Sequence, residues 1–211
     1  MHSNQPVYAA GAPLENARAA MIMLHGRGAD AESILAFAAE FKQTGIAYLA
    51  PQAAMHAWYP NRFNAPIAGN EPWLTSALEK IASLLEHIHT VGLPPAQTFL
   101  LGFSQGACLA LEYAARHPQR YAGVFGLSGA LIENGDQPRT YTGTLAGTPV
   151  FLGCSDVDAH IPADRVTQSA ERLRGLDAEV TLRLYPGLGH TVNEDEIRFI
   201  RDTLENVRRD A

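Results

Sequence analysis

The stretch that decides the fold is Thr98-Phe99-Leu100-Leu101-Gly102-Phe103-Ser104-Gln105-Gly106-Ala107, continuing through Arg116. Thr98–Leu101 is a short apolar run. Gly102–Gly106 reads G-x-S-x-G, and Ala107–Arg116 has helical composition. A strand, a very tight turn and a helix in direct succession leave no room for side chains on either side of the turn's apex. Glycine at 102 and 106 is what such a turn requires, with Ser104 forced into a strained backbone conformation and its Oγ lifted clear.

Working outward, the same alternation recurs. Apolar runs at 19–24, 46–50, 98–103, 122–127 and 150–153 are almost continuous, as strands buried on both faces should be. A sixth, at 180–184, alternates Val180, Leu182 and Leu184 with Thr181 and Arg183, which predicts one wet face near a sheet edge. Between the runs lie helical stripes. Leu74, Leu78, Ile81, Leu85 and Ile88 form one; Val166, Ala170 and Leu173 another; Ile197, Ile200, Leu204 and Val207 a third. Asn193 with Glu196 three residues on is a capping-box start, and Asp30 suits the N-cap of a helix reaching Phe41. Strand alternating with helix predicts the α/β class: a mostly parallel sheet with helices on both faces, in one domain spanning residues 1–211.

Composition narrows the function. The chain has 211 residues with 16 Lys plus Arg against 22 Asp plus Glu, a formal charge of −6, so there is no basic excess for nucleic acid. At 46% hydrophobic and 18% charged residues it is ordinary globular material. Its apolar runs are far shorter than a membrane span, and the N-terminus lacks the basic and apolar segments of a signal peptide. Cys108 and Cys154 are too few for a disulfide framework and read as reduced core thiols, so a cytoplasmic location is expected. Pairing into a homodimer is expected only if the folded surface leaves an apolar strip uncovered.

Two connections are too long to be plain turns: Pro51–Glu71, which carries Trp58, Tyr59 and Phe63 with Trp73 just beyond, and Ser128–Gly147, which holds Leu131 and Ile132. Both leave carboxyl ends of strands, where ligands bind in open α/β sheets, so both are candidate cleft walls. Together with His25 and Gly26 at the first strand's exit and Ile161, they give the expected substrate-binding set: Trp58, Tyr59, Phe63, Trp73 and Leu131. The bland alternative is that the aromatics only pin the loop down.

A serine hydroxyl is a poor nucleophile unless a base takes its proton and a third group orients the base. In chains where the serine of such a turn is the nucleophile, an acid and then a histidine follow in order, each at a strand's end. His190, in Pro186-Gly187-Leu188-Gly189-His190, is the one histidine after the last strand. Asp156 and Asp158 both follow the 150–153 run, and position alone does not choose between them; Asp164 suits a helix's first turn. The Asp-x-Asp pair with His160 would suit a metal, but no clustered His or Cys supports one, so neither metal nor cofactor is expected. An oxyanion needs two converging N–H donors. Gln105 supplies one; His25-Gly26-Arg27-Gly28 resembles the H-G-x-G loops of esterases, which makes Arg27 N–H the other.

With these pieces placed, the sequence resembles the phospholipase/carboxylesterase family of small α/β-hydrolases, relatives of the acyl-protein thioesterases. The likeness runs from about Met21 to Val207. It rests on Leu24–Gly28, Pro51, Gly102–Gly106, Leu127-Ser128-Gly129, Asp156–Pro162 and Gly189-His190. It implies an α/β-hydrolase fold without a large cap domain and selects Asp158, with Pro162 four residues on, as the orienting acid. It implies a serine carboxylesterase acting through Ser104, His190 and Asp158 on short- to medium-chain esters. The alternatives are a lysophospholipase or acyl-protein thioesterase for longer chains and, remotely, a non-catalytic binding protein on the same fold. Arg27 departs from the thioesterases, which place an apolar residue there; a charge at the cleft mouth favours small or polar esters.

Overall fold

A computed structural model describes residues 1–207; the last four residues of the expected 1–211 domain lie outside the described residues. Seven strands form one sheet: β1 (Val7–Gly11), β2 (Ala19–Leu24), β3 (Ile46–Pro51), β4 (Thr98–Phe103), β5 (Gly123–Leu127), β6 (Pro149–Ser155) and β7 (Glu179–Tyr185). Their order is β1-β3-β2-β4-β5-β6-β7, parallel throughout except for β1, which runs antiparallel to β3. Every residue of β2 and β3 is buried, which is why these runs carry no polar alternation.

Helices cover both faces. On one, α3 (Trp73–Thr90), α4 (Gln105–Arg116) and α5 (Ala163–Arg174) pack Leu78, Ile81, Leu109, Val166 and Leu173 against Ile22, Leu100 and Leu152. On the other, α1 (Ala31–Leu35), α2 (Phe37–Phe41) and α6 (Glu194–Glu205) pack Ile34, Phe41, Ile197, Ile200 and Leu204 against Met21, Leu101 and Phe151. Both caps form. Asp30 Oδ1 accepts the Ser33 N–H at 2.8 Å, and Asn193 accepts from Asp195 and Glu196 while Glu196 accepts the Asn193 N–H at 2.9 Å.

Three readings need correction. The helix expected from Asp30 to Phe41 is two short helices meeting at Ala36, because the Ala39 N–H turns back to the Ala36 carbonyl, one residue short of the α-helical ladder. Strand β1 was not foreseen. Its Val7 and Tyr8 are exposed, and it is held through pairing with β3 rather than through a buried face. Strand β7 does lie at the sheet edge, but its polar face is not simply wet. Arg183 lies over the Phe151 and Phe199 rings, 5.8 and 5.0 Å from their centroids, and pairs with Asp195 at 2.6 Å.

Strand β3 turns one way from β2, and β4 returns to pair on β2's other side, where all later strands follow. That reversal leaves a crevice beyond the carboxyl ends of β2 and β4. In register, Leu24 pairs with Gly102, so the residues after both strands emerge side by side.

Candidate active site

Ser104 sits in that crevice at φ 54°, ψ −117°, between β4 and α4. The two flanking glycines are sterically required. A Cβ on Gly102 would lie 2.2 Å from the Gly106 carbonyl carbon, and one on Gly106 would lie 2.1 Å from the Leu24 oxygen. The first turn of α4 therefore rests directly on the end of β2, and the Ser104 N–H is tied to the Leu127 carbonyl at 2.9 Å.

Three side chains predicted from the sequence meet here. His190 Nε2 lies 2.9 Å from Ser104 Oγ, and His190 Nδ1 lies 2.7 Å from Asp158 Oδ2. With Asp158 accepting from Nδ1–H, Nε2 is left as the acceptor for the serine proton. Asp158 is fully engaged: its Oδ1 accepts the N–H groups of His160 at 2.8 Å and Ile161 at 3.0 Å. Burial by itself would raise this carboxyl, but the hydrogen bonds from His190, Ile161 and His160 outweigh burial and hold it below the ordinary aspartate value. The His190 ring is flanked by Phe103 and His160, with centroids at 5.0 and 4.6 Å.

Asp156, left open by position alone, has a different task. Its Oδ1 accepts the Gly187 N–H at 2.8 Å, and Ser155 Oγ accepts the Gly189 N–H at 3.0 Å. The first carboxylate and its neighbour thus hold the backbone that presents His190, while the second touches the imidazole. Sequence reasoning missed this division; the glycines before His190 were its only signal. Among the described residues no three His, Cys, Asp or Glu side chains are grouped to hold a metal. Asp164 lies in the first turn of α5.

A cavity of about 590 Å³ opens over Ser104, lined by Gly26, Arg27, Tyr59, Phe63, Gln105 and Ile161 among others. Four of the expected wall residues are therefore present: Gly26, Tyr59, Phe63 and Ile161. As the first residue of α4, Gln105 has an N–H with no intrahelical acceptor, and Arg27 shares the same cavity. Cys108 also lines it, and burial pushes its thiol up to about 12, so it remains an S–H.

The other expected wall residues lie elsewhere. Trp58 is fully buried, its indole N–H donating to the His25 carbonyl at 2.9 Å, so it pins the loop as the bland reading held. His25 is also fully buried: its Nε2 accepts the Ala53 N–H at 3.0 Å, and its ring borders a smaller neighbouring cavity instead. Trp73 lies beside Met55, Ala57 and Pro60, away from Ser104. Leu131 is a core residue; no residue of the 128–147 connection lines the cavity, and buried Glu112 holds part of that connection. That carboxylate accepts from the Ile132 N–H, the Tyr141 hydroxyl and the Arg139 guanidinium.

Sequence reading used Gln105 only for its amide. Its side chain matters as well: Oε1 accepts the Trp58 N–H at 2.9 Å and Nε2 donates to the Tyr59 carbonyl at 2.8 Å, clamping the aromatic loop to the start of α4. Arg27 extends from the end of β2 to the carbonyls of Pro60, at 2.7 Å, and Asn61.

Residues 8–208 match the sequence profile of the phospholipase/carboxylesterase family. The chain belongs to that family. Acyl-protein thioesterase 1 of Debaryomyces hansenii is 26% identical over 95% of this chain and 97% of its own length. Acyl-protein thioesterase 1 of Gibberella zeae is 32% identical, but over 50% of this chain and 46% of its own length; against several curated relatives the match spans about half to two thirds of their length. The crystal structure of a phospholipase/carboxylesterase from Dyadobacter fermentans superposes with a TM-score of 0.91 at 37% identity, covering 96% of this chain and 97% of that one. Esterase PE8, at 23% identity and a TM-score of 0.77, shows the shared fold. The fold is the α/β-hydrolase fold, with no large cap among the described residues. Among the described residues no helix is long and apolar enough to cross a membrane.

Proposed function

We propose that this phospholipase/carboxylesterase family member is a serine carboxylesterase acting on short- to medium-chain esters. The observation that carries the reading is the unbroken chain Ser104 Oγ–His190–Asp158, at 2.9 and 2.7 Å, at the floor of a cavity that also holds the residues of two candidate amide donors. His190 Nε2 takes the serine proton as Oγ attacks the acyl carbonyl carbon. The oxyanion is held by the N–H groups of Arg27 and Gln105. Collapse expels the alcohol, which leaves with the proton from His190; water then repeats the sequence and frees the acid. Asp158 keeps the imidazole in its working tautomer and stabilises its charged form.

Support for modest acyl chains comes from the cleft itself. Trp58 and Trp73, which would have lengthened an apolar wall, lie outside it, and the charged, exposed Arg27 lines it. The thioesterase reading is favoured by the names of the fungal relatives. Two free, buried cysteines fit a reducing, cytoplasmic setting.

Initial rates on p-nitrophenyl esters from acetate to palmitate, with Ser104→Ala as the blank, test the proposal. The expected result is a maximum at short chains and a loss of at least about a thousandfold in kcat in the variant. A maximum at eight carbons or more would transfer the assignment to the long-chain reading. A variant keeping a tenth of the activity would refute the serine mechanism.

A further inference from the structure

The cavity over Ser104 has a charge pattern at odds with the rest of the chain. Acidic residues outnumber basic ones 22 to 16, yet among the described residues no carboxylate lines this cavity, while two arginines, Arg27 and Arg62, do. The carboxyl behind His190, Asp158, is consumed by that imidazole and by two backbone N–H groups. Among the described residues neither arginine has an acidic partner, a state shared with Arg18, Arg120, Arg172 and Arg174, none of which lines the cavity; Arg116, Arg139, Arg165, Arg183, Arg198 and Arg201 are all paired.

What the two arginines do touch is neutral. Arg27 donates to the carbonyls of Pro60 and Asn61, and Arg62 donates to the carbonyl of His160 at 3.1 Å. These bonds orient the guanidinium groups about the 60–62 segment of the cleft without neutralising them, and each keeps further N–H donors in hand. The positive end of α4 adds to the same field at Ser104. Beneath lies an apolar floor of Tyr59, Phe63, Cys108 and Ile161.

Resting on the hydrolase reading above, we infer that the cleft selects esters that carry an anionic group, a carboxylate above all, with an apolar body on the floor and the charge at the Arg27–Arg62 rim. A carboxylate matches the guanidinium fork, and a cleft of one sign concentrates substrates of the other.

The test compares each anionic ester with its methyl-capped, uncharged counterpart. For the acyl side the pair is the mono-p-nitrophenyl ester of glutaric acid and its methyl ester. For the alcohol side it is the butyrate ester of 4-hydroxybenzoic acid and that of methyl 4-hydroxybenzoate. The quantity read is the ratio of kcat/KM, charged over capped, which cancels any general loss of activity in a variant. The expected ratio for the natural protein is about ten or more on at least one pair, falling as salt is raised. It drops about tenfold in Arg62→Met and falls below one in Arg62→Glu. The pair that responds tells which half of the ester meets the rim. Capped esters cleaved as well as charged ones, with no response to salt or to Arg62→Glu, would overturn the inference and leave the hydrolase reading standing. No Ser104-dependent cleavage of any of the four would overturn both.

Discussion

Glu196 offers a sharp quantitative test. It is the third residue of α6 and is fully buried; one oxygen, Oε2, accepts the Asn193 N–H at 2.9 Å. The other, Oε1, faces Gly153 of β6, where a Cβ would lie only 2.0 Å from it, and it has no hydrogen-bond partner among the described residues. Burial pushes this carboxyl from 4.5 up to about 7; the Asn193 hydrogen bond opposes the shift and neighbouring Asp195 reinforces it. In the unfolded chain the group ionises near 4.5, while in the folded protein it keeps its proton until about 7. The folded state therefore loses ground as pH rises through that window. The total is about 3 kcal/mol, at 1.36 kcal/mol per pH unit between the two values. Glu196→Gln retains an acceptor for the Asn193 N–H and mimics the protonated acid, so it escapes the loss. Urea unfolding of both proteins from pH 5 to pH 8 should show the variant gaining on the natural chain by about 2 kcal/mol across that range. A stability difference that stays constant with pH would refute the reasoning, because it would mean that the carboxyl is not held neutral by its surroundings.

The division of labour between the two aspartates predicts unequal effects. Asp158→Asn should lower kcat by about a thousandfold or more through loss of the working tautomer, while Asp156→Asn, which retains an acceptor for Gly187, should cost less than about tenfold. Steady-state kinetics with equal losses for the two would contradict that division. Gly106→Ala drives a Cβ into the Leu24 and His25 carbonyls, at 2.1 and 2.6 Å, and should lower both activity and the thermal midpoint, at a cost of about 2 kcal/mol. A midpoint unchanged within error would show that α4 does not rest on β2 as described.

Legibility followed physical cause. Strands β2 to β6 could be read because burial on both faces leaves a continuous apolar run, and the turn at Ser104 because sterics demand two glycines. Ser104, Asp158 and His190 could be found because each follows the carboxyl end of a parallel strand, and their order is the one the resemblance to α/β-hydrolases implies. Strand β1 escaped because hydrogen bonding to β3, not apolar patterning, holds it. The cleft walls were half right for a related reason. Trp58 and Tyr59 are adjacent and similar in character, yet one plugs the core behind His25 and the other lines the cavity. That choice is made by the Gln105 clamp, a contact across 46 and 47 positions of chain that no local pattern records. His2, which looks like a polar terminal residue, is likewise buried because its two ring nitrogens meet the Ala54 N–H and the Trp58 carbonyl, both at 3.1 Å.

That arrangement gives the molecule its own optical gauge. The chain has two tryptophans, and the His2 ring lies against both, 5.4 Å from Trp58 and 5.6 Å from Trp73. Trp58 is sealed from water and clamped to the first residue of α4, so its emission should be blue-shifted and should report the seating of the cleft loop. Trp73 is partly buried and follows the start of α3. An imidazolium quenches indole, so acidification should dim Trp73 as His2 gains a proton, and Trp58 as His2 and His25, whose ring lies 5.1 Å from it, gain theirs. Burial lowers the His2 pKa, which sets that dimming at a more acidic pH than a free histidine would give. The seating of the aromatic loop can thus be followed by fluorescence without any added label.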